Sequence, residues 1–231
     1  MVPAVVFDLD GTLVDSAPDL VATLNTIFAR EGLPPVAYEA ARNMVGGGAR
    51  LMIERGLKAE RRTLPAPEVD RLCRDFIEHY AAHIADQSRP FPGIETALDE
   101  IAARGSTLIV CTNKLEWLSV RLLDALGLSK RFAVICGADT FGLKKPNPEL
   151  LHRTLERAAA RPDCAVMVGD SVNDVDMARA AGIPVIAVDF GYTEIPVREL
   201  KADLVISGFR DLPKAVFGLL KRRDEVSAQG T

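Results

Sequence analysis

Four acidic side chains stand at the ends of two apolar runs. Val5-Val6-Phe7 leads directly into Asp8-Leu9-Asp10-Gly11-Thr12, and Ala165-Val166-Met167-Val168 leads into Gly169-Asp170-Ser171-Val172-Asn173-Asp174. Residues two apart on a strand project to the same side, so Asp8 and Asp10 share one. Two like charges at the end of a buried strand are unfavourable unless a counter-charge neutralises them, and a hard divalent cation with oxygen ligands supplies one. The plain alternative for the first motif is a solvated turn, since Asp and Gly favour turns. Asp170 marks the second strand exit. Asp174 falls in the loop or first turn of the following helix, where a carboxylate serves either the site or the helix dipole.

Two more strand ends carry complementary groups. Leu108-Ile109-Val110-Cys111 exits into Thr112-Asn113-Lys114, which brings a hydroxyl, an amide and the start of a helix. Phe141-Gly142-Leu143-Lys144-Lys145-Pro146-Asn147-Pro148 places a cation, Lys145, beside a proline that restricts its approach, while Lys144 reads as an ordinary surface lysine. Acids, a hydroxyl, an amide and a cation thus sit at four successive strand ends. That set suits a phosphate held between a metal and fixed donors.

Positioning these groups requires a sheet whose strands all end on one side. The runs Ala4–Phe7, Thr107–Cys111, Ala133–Cys136, Ala165–Val168, Pro184–Val188 and Asp203–Ile206 are nearly continuous in Val, Ile and Leu, as in strands covered on both faces. Helical periodicity fills Ile94–Arg104, Leu115–Leu126, Glu149–Ala160 and Val175–Ala181, and Gly105, Gly127 and Gly182 follow three of these segments. The alternation predicts an α/β fold with a doubly wound parallel sheet, whose ligands gather at the carboxyl ends of the strands. From Ser16 to about Arg89 the alternation stops. Ser16 with Asp19 resembles a capping box, a helix follows to Gly32, and further helices are expected around Tyr38–Met44, Ala49–Leu57 and Pro67–Ala85. Asp86–Pro92 reads as the return linker and Ala228–Thr231 as a frayed tail. The division is therefore a core of residues 1–15 and 92–231 and an inserted helical cap of 16–91.

Composition narrows the class. The 231 residues are 48% apolar and 26% charged, which excludes a disordered chain, a collagen and a coiled coil. A net charge of −4 argues against a nucleic-acid partner. The opening Met-Val-Pro-Ala-Val-Val-Phe lacks a basic segment, and Asp8 ends its apolar run, so neither a leader nor a membrane span is expected and the protein reads as cytoplasmic. Cys73, Cys111, Cys136 and Cys164 are far apart among apolar neighbours and read as buried thiols of a reducing compartment.

The four motifs, in this order and with a helical block between the first and second, resemble those of haloacid dehalogenase superfamily phosphatases. The resemblance covers the core from Val5 to about Gly191. It implies Asp8 as nucleophile through an aspartyl-phosphate and Asp10 as general acid/base. It also implies Mg²⁺ held by Asp8, the Asp10 carbonyl and Asp170 with Asp174 close by, and Thr112, Asn113 and Lys145 on the phosphoryl group. An acid at position 10 sets the chain apart from the dehalogenase branch, whose halide leaving group needs no proton. Across the whole chain the pattern is most similar to phosphoglycolate phosphatases, through Thr112-Asn113-Lys114 and the cap segment Val45-Gly46-Gly47-Gly48-Ala49-Arg50. There the three glycines let backbone approach a small ligand and Arg50 can pair with a substrate carboxylate, or the segment simply joins two helices. The expected partner is a small phosphorylated metabolite and the expected assembly a monomer or homodimer. Alternatives are a phosphatase for a sugar phosphate or pyrophosphate, a sugar phosphomutase and, more distantly, a non-catalytic phospho-signalling module.

Overall fold

The computed structural model describes residues 2–193 and 195–229. It opens with β1 (Ala4–Phe7) and β2 (Val14–Asp15), followed by α1 (Ala17–Arg30), α2 (Tyr38–Arg42), α3 (Ala49–Ala59) and α4 (Ala66–Ala82). The chain returns through β3 (Arg89–Pro90) and α5 (Ile94–Ala103) to β4 (Thr107–Cys111), α6 (Glu116–Ala125) and β5 (Val134–Cys136). It closes with α7 (Pro148–Arg157), β6 (Ala165–Gly169), α8 (Val172–Ala180), β7 (Val185–Val188), β8 (Leu204–Ile206) and α9 (Leu212–Gln229).

Six parallel strands form one sheet in the order β5-β4-β1-β6-β7-β8. The residues of its inner strands β4, β1, β6 and β7 are almost all buried, which explains their unbroken apolar runs. Val5, Phe7, Val110 and Val168 pack with Ile94 and Leu98 of α5 and Leu212 and Val216 of α9. Val6, Ile109 and Met167 pack with Leu150 and Leu151 of α7 and Val175 of α8. At the centre, Phe7 stands level with Val110 on one side and Val168 on the other. Asp8, Thr112 and Asp170 therefore leave neighbouring strands within one residue of the same level, which is how distant motifs meet.

Helices α1 to α4 form the inserted block, packed around Leu24, Phe28, Ile53, Leu72, Phe76 and Tyr80. A β-carbon at Gly56 of α3 would stand 2.7 Å from the Phe28 ring, so glycine sets how closely α3 approaches α1. At the base of the block β2 and β3 pair antiparallel, Val14 with Pro90 and Asp15 with Arg89. Two-residue strands carry no periodicity, and the segment expected as plain linker contains one of them.

The expected capping box at Ser16 and Asp19 does not form. The Ser16 hydroxyl donates to Asp10 instead, and the Asp19 carboxylate accepts from the backbone N–H groups of Gln87 and Ser88 and from the Ser88 hydroxyl. A real capping box starts α8 at Val172, earlier than its apolar periodicity suggested, because Ser171 and Asp174 cap reciprocally. The cysteines are all free, three buried and Cys73 partly so. Of the expected tail, Ala228 and Gln229 belong to α9, and residues 230 and 231 lie outside the described residues. Among the described residues no helix is long and apolar enough to cross a membrane.

Candidate active site

Asp8 follows the last residue of β1, and its N–H still bonds to the Val168 carbonyl at 2.9 Å, so the strand geometry fixes its backbone. Its Oδ1 accepts from the Leu9 N–H at 2.7 Å and lies 2.6 Å from Lys145 Nζ. Lys145 precedes a cis peptide bond to Pro146, and its ammonium also reaches Asp174 Oδ1 at 2.7 Å. The other oxygen of Asp174 accepts from Ser171 N–H and hydroxyl and from Asp170 N–H. One oxygen of Asp174 thus faces Lys145 while the other caps α8.

Asp170 is held from two directions. The Thr12 hydroxyl donates to its Oδ1 at 3.0 Å and the Tyr192 N–H to its Oδ2 at 2.6 Å. Backbone crowds it as well: a β-carbon at Gly191 would stand 2.2 Å from the Asp170 side chain, and one at Gly11, where φ is +83°, 2.4 Å from its Oδ2. At Gly11 both the space and the positive φ require glycine.

Asp8, Asp170 and Asp174 each offer an oxygen within 4.8 Å of the others, and all three are buried. Burial, opposed by Lys145 and reinforced by Asp174, raises the Asp8 carboxyl to about 7. Burial and the charges of Asp174 and Asp8 raise Asp170 well above the carboxylate range. Three carboxylates against one ammonium leave two negative charges formally uncompensated. An all-oxygen set with that deficit fits a hard divalent cation. Asp10 is expected at the metal through its backbone carbonyl, and its side chain points away from this set. Its Oδ1 accepts from Ser16 at 2.5 Å and its Oδ2 from Lys114 Nζ at 2.9 Å.

Asp8 and Asp10 both face a cavity of about 190 Å³ between the sheet end and the inserted helices, with Thr112, Asn113 and Lys114 on its core side. The Thr112 hydroxyl accepts from the Lys114 N–H. Asn113, expected on the phosphate, also acts as a brace. Its Oδ1 accepts from the Lys145 N–H at 2.9 Å and its Nδ2 donates to the Gly46 carbonyl at 3.1 Å.

On the opposite wall Gly46, Gly48 and Arg50 line the cavity, while Gly47 is tucked against Leu51. Arg50 is not poised as a reader of substrate. Its side chain is 46% exposed and its guanidinium is engaged by Glu54 and Asp70. Sequence reasoning assigned no role to Thr12, Tyr80 or Tyr192. Thr12 lies inside the first motif and could have been found there, but Tyr80 reads as one more apolar position of α4. Lys114 was visible beside Thr112, without any sign that its ammonium turns inward over the Tyr80 ring at 4.6 Å. Tyr192 also accepts from the Ala17 N–H and bonds Asp15, while Arg42 of α2 lies over its ring and donates to the carbonyls of Phe190 and Gly191.

Comparison with known proteins agrees with this architecture. A family model described as haloacid dehalogenase-like hydrolase matches residues 5–188. The phosphoglycolate phosphatase of Agrobacterium fabrum is 46% identical, over 98% of this chain and 97% of its own length. That of Caulobacter vibrioides is 49% identical over 94% of this chain and 91% of its own. A crystal structure from Haemophilus somnus, titled a predicted phosphoglycolate phosphatase, superposes with a TM-score of 0.87 at 29% identity, covering 93% of this chain and 97% of the other. With a match running from β1 to β7 and relatives this similar over nearly the full length, the chain belongs to the haloacid dehalogenase-like hydrolase family.

Proposed function

We propose that the protein is a phosphomonoester hydrolase that converts 2-phosphoglycolate to glycolate and phosphate, with Asp8 as nucleophile and Asp10 as general acid and base. The observation that carries this is the division of labour between two neighbouring aspartates at one cavity. Asp8 sits against Lys145 and two further acids, and Asp10 against a hydroxyl and a second ammonium.

Asp8 Oδ1 is held by Leu9 and Lys145, which leaves Oδ2 to attack phosphorus. Attack by one anion on another needs positive charge close by, and Lys145 supplies one such charge. Asp8, Asp170 and Asp174 would hold Mg²⁺, with the Asp10 carbonyl in the position the family resemblance gives it; such an ion screens the phosphate charge. Asp10 gives its proton to the departing alkoxide oxygen and then takes one from the water that releases the phosphate from Asp8. Thr112 offers its hydroxyl proton to a phosphoryl oxygen, and Asn113 acts by fixing the Lys145 loop. Residues 16–91 act as a cap over the reaction, with the β2–β3 pair at its base.

The substrate reading is supported by the relatives named above. A panel of 2-phosphoglycolate, hexose phosphates, pyrophosphate and p-nitrophenyl phosphate tests it, with kcat/KM for 2-phosphoglycolate expected to be highest. A hexose phosphate that wins, or isomerised sugar phosphate among the products, replaces the substrate reading with the sugar phosphatase or phosphomutase one. Repeated turnover would reject a phospho-signalling module.

A further inference from the structure

The proposed chemistry accounts for every charged group on the cavity floor except Lys114. Resting on the substrate reading above, we infer that the Lys114 ammonium and the Tyr80 hydroxyl form the seat for a carboxylate carried by the leaving group.

Position is the first argument. Lys114 Nζ lies 2.9 Å from Asp10 Oδ2, and Asp10 is the group that must reach the bridging oxygen. In 2-phosphoglycolate the carboxylate is one methylene from that oxygen, so it falls one hydrogen bond beyond Asp10, where Lys114 stands. Unused donor capacity is the second. An ammonium carries three N–H donors, and beside Lys114 stand the Asp10 carboxylate and the ring and oxygen of Tyr80, which leaves a donor to spare. Tyr80 itself is 1% exposed; its oxygen lies beside the Lys114 ammonium, and its own O–H finds no acceptor among the described residues. A buried donor without a partner is costly in the free protein and is satisfied by an anionic oxygen placed there. Burial pushes the Tyr80 hydroxyl up to about 12, against the pull of Lys114, so it remains a donor.

The remaining cations at the cavity are poorer readers. Arg50 is half-exposed and shared between Glu54 and Asp70, Lys144 is exposed, and Lys145 is taken by Asp8 and Asp174. Phe76, Met52, Val45 and Leu118 line the same cavity and offer a carboxylate no hydrogen bond of their own. An ester without a carboxylate leaves the pair of donors unanswered against those walls. Rejection of such an ester is therefore built into the floor of the site.

The test compares 2-phosphoglycolate with ethyl phosphate, which replaces the carboxylate by a methyl group. The quantity read is the ratio of their kcat/KM values on one preparation, so the folded fraction cancels. In the unaltered enzyme the ratio should be ~10² or more. Lys114→Met should bring it to about ten or less, Lys114→Arg should keep most of it, and Tyr80→Phe should lower it about three- to tenfold. If Lys114→Met is too slow to assay, Tyr80→Phe carries the same comparison. A ratio unchanged in both variants while both rates fall together overturns the inference and leaves Lys114 as a holder of Asp10. A ratio that survives Lys114→Met but collapses in Arg50→Ala also overturns it. An unaltered enzyme that handles ethyl phosphate as well as 2-phosphoglycolate defeats the substrate reading itself, a pattern seen before any variant is made.

Discussion

Each half of the site is built on a buried lysine clasping an aspartate, and the two halves differ in what else is present. Around Lys145 the acids outnumber the cations, three to one, and burial lifts Asp8 and Asp170 well above the usual carboxylate range. Around Lys114 the balance is even: one ammonium, one carboxylate, a hydroxyl and an aromatic face. Burial works against the Lys114 charge, but Asp10 and Tyr80 overcome it and hold the ammonium firmly protonated. The first half is charged to receive something positive. The second is complete in itself and has donors to spare, which suits a group that must discriminate and pass protons.

The deepest cut through this contrast is Asp8→Asn. Loss of the nucleophile should lower kcat by ~10⁵-fold or more, with no phosphate on the protein in acid-quenched samples analysed by mass spectrometry. Asp10→Asn should lose ~10²–10⁴-fold, unevenly: the loss should be large for alkyl phosphates and small for p-nitrophenyl phosphate, whose leaving group needs no proton. Equal losses on both would show that Asp10 is not the acid. Lys145→Met should lower kcat ~10²–10³-fold and destabilise the fold by about 3 kcal/mol, read by denaturant titration, because it strips the cation from a buried acid cluster.

The smallest effect concerns pH. Asp8 keeps its proton to about 7 in the folded protein, against an ordinary value of 3.8. Metal-free protein should therefore lose stability as pH rises across that interval, with no further loss from this group above it. Added Mg²⁺ should raise the melting temperature more at pH 8 than at pH 5, by on the order of 5 °C. The slope should flatten in Asp8→Asn, and thermal unfolding at several pH values with and without Mg²⁺ checks both statements.

The acid-rich half was legible in the sequence because strand ends concentrate chemistry. Asp8, Thr112 and Asp170 each stand at the end of an apolar strand, Lys145 lies in the loop that follows β5, and a parallel sheet delivers all four to one side. The six strands were legible for the same reason, since burial on both faces writes itself as uninterrupted Val, Ile and Leu. Elsewhere the same residue types mislead. Ser16 and Asp19 have the spacing of a capping box, but tertiary partners at Asp10 and Ser88 outcompete the helix end. Asn113 and Arg50 have the chemistry of binders, yet one braces Lys145 and the other is neutralised by Glu54 and Asp70. Tyr80 was invisible because an amphipathic helix admits an aromatic at a buried position whether or not its hydroxyl matters. What a polar group does beneath the inserted helices depends on which helix faces it, and periodicity does not carry that information.

The central place of β1 has a cost during synthesis. Its two partners, β4 and β6, begin at Thr107 and Ala165, so the strand that leads into Asp8 waits longer for both neighbours than any other inner strand of the sheet. At the usual pace of translation, ~5–20 residues per second, the run Ala4–Phe7 waits on the order of ten seconds with both edges unpaired. A nascent chain in that state presents an apolar strand to any other strand nearby. The inserted helices, with mostly local contacts, are free to form in the meantime.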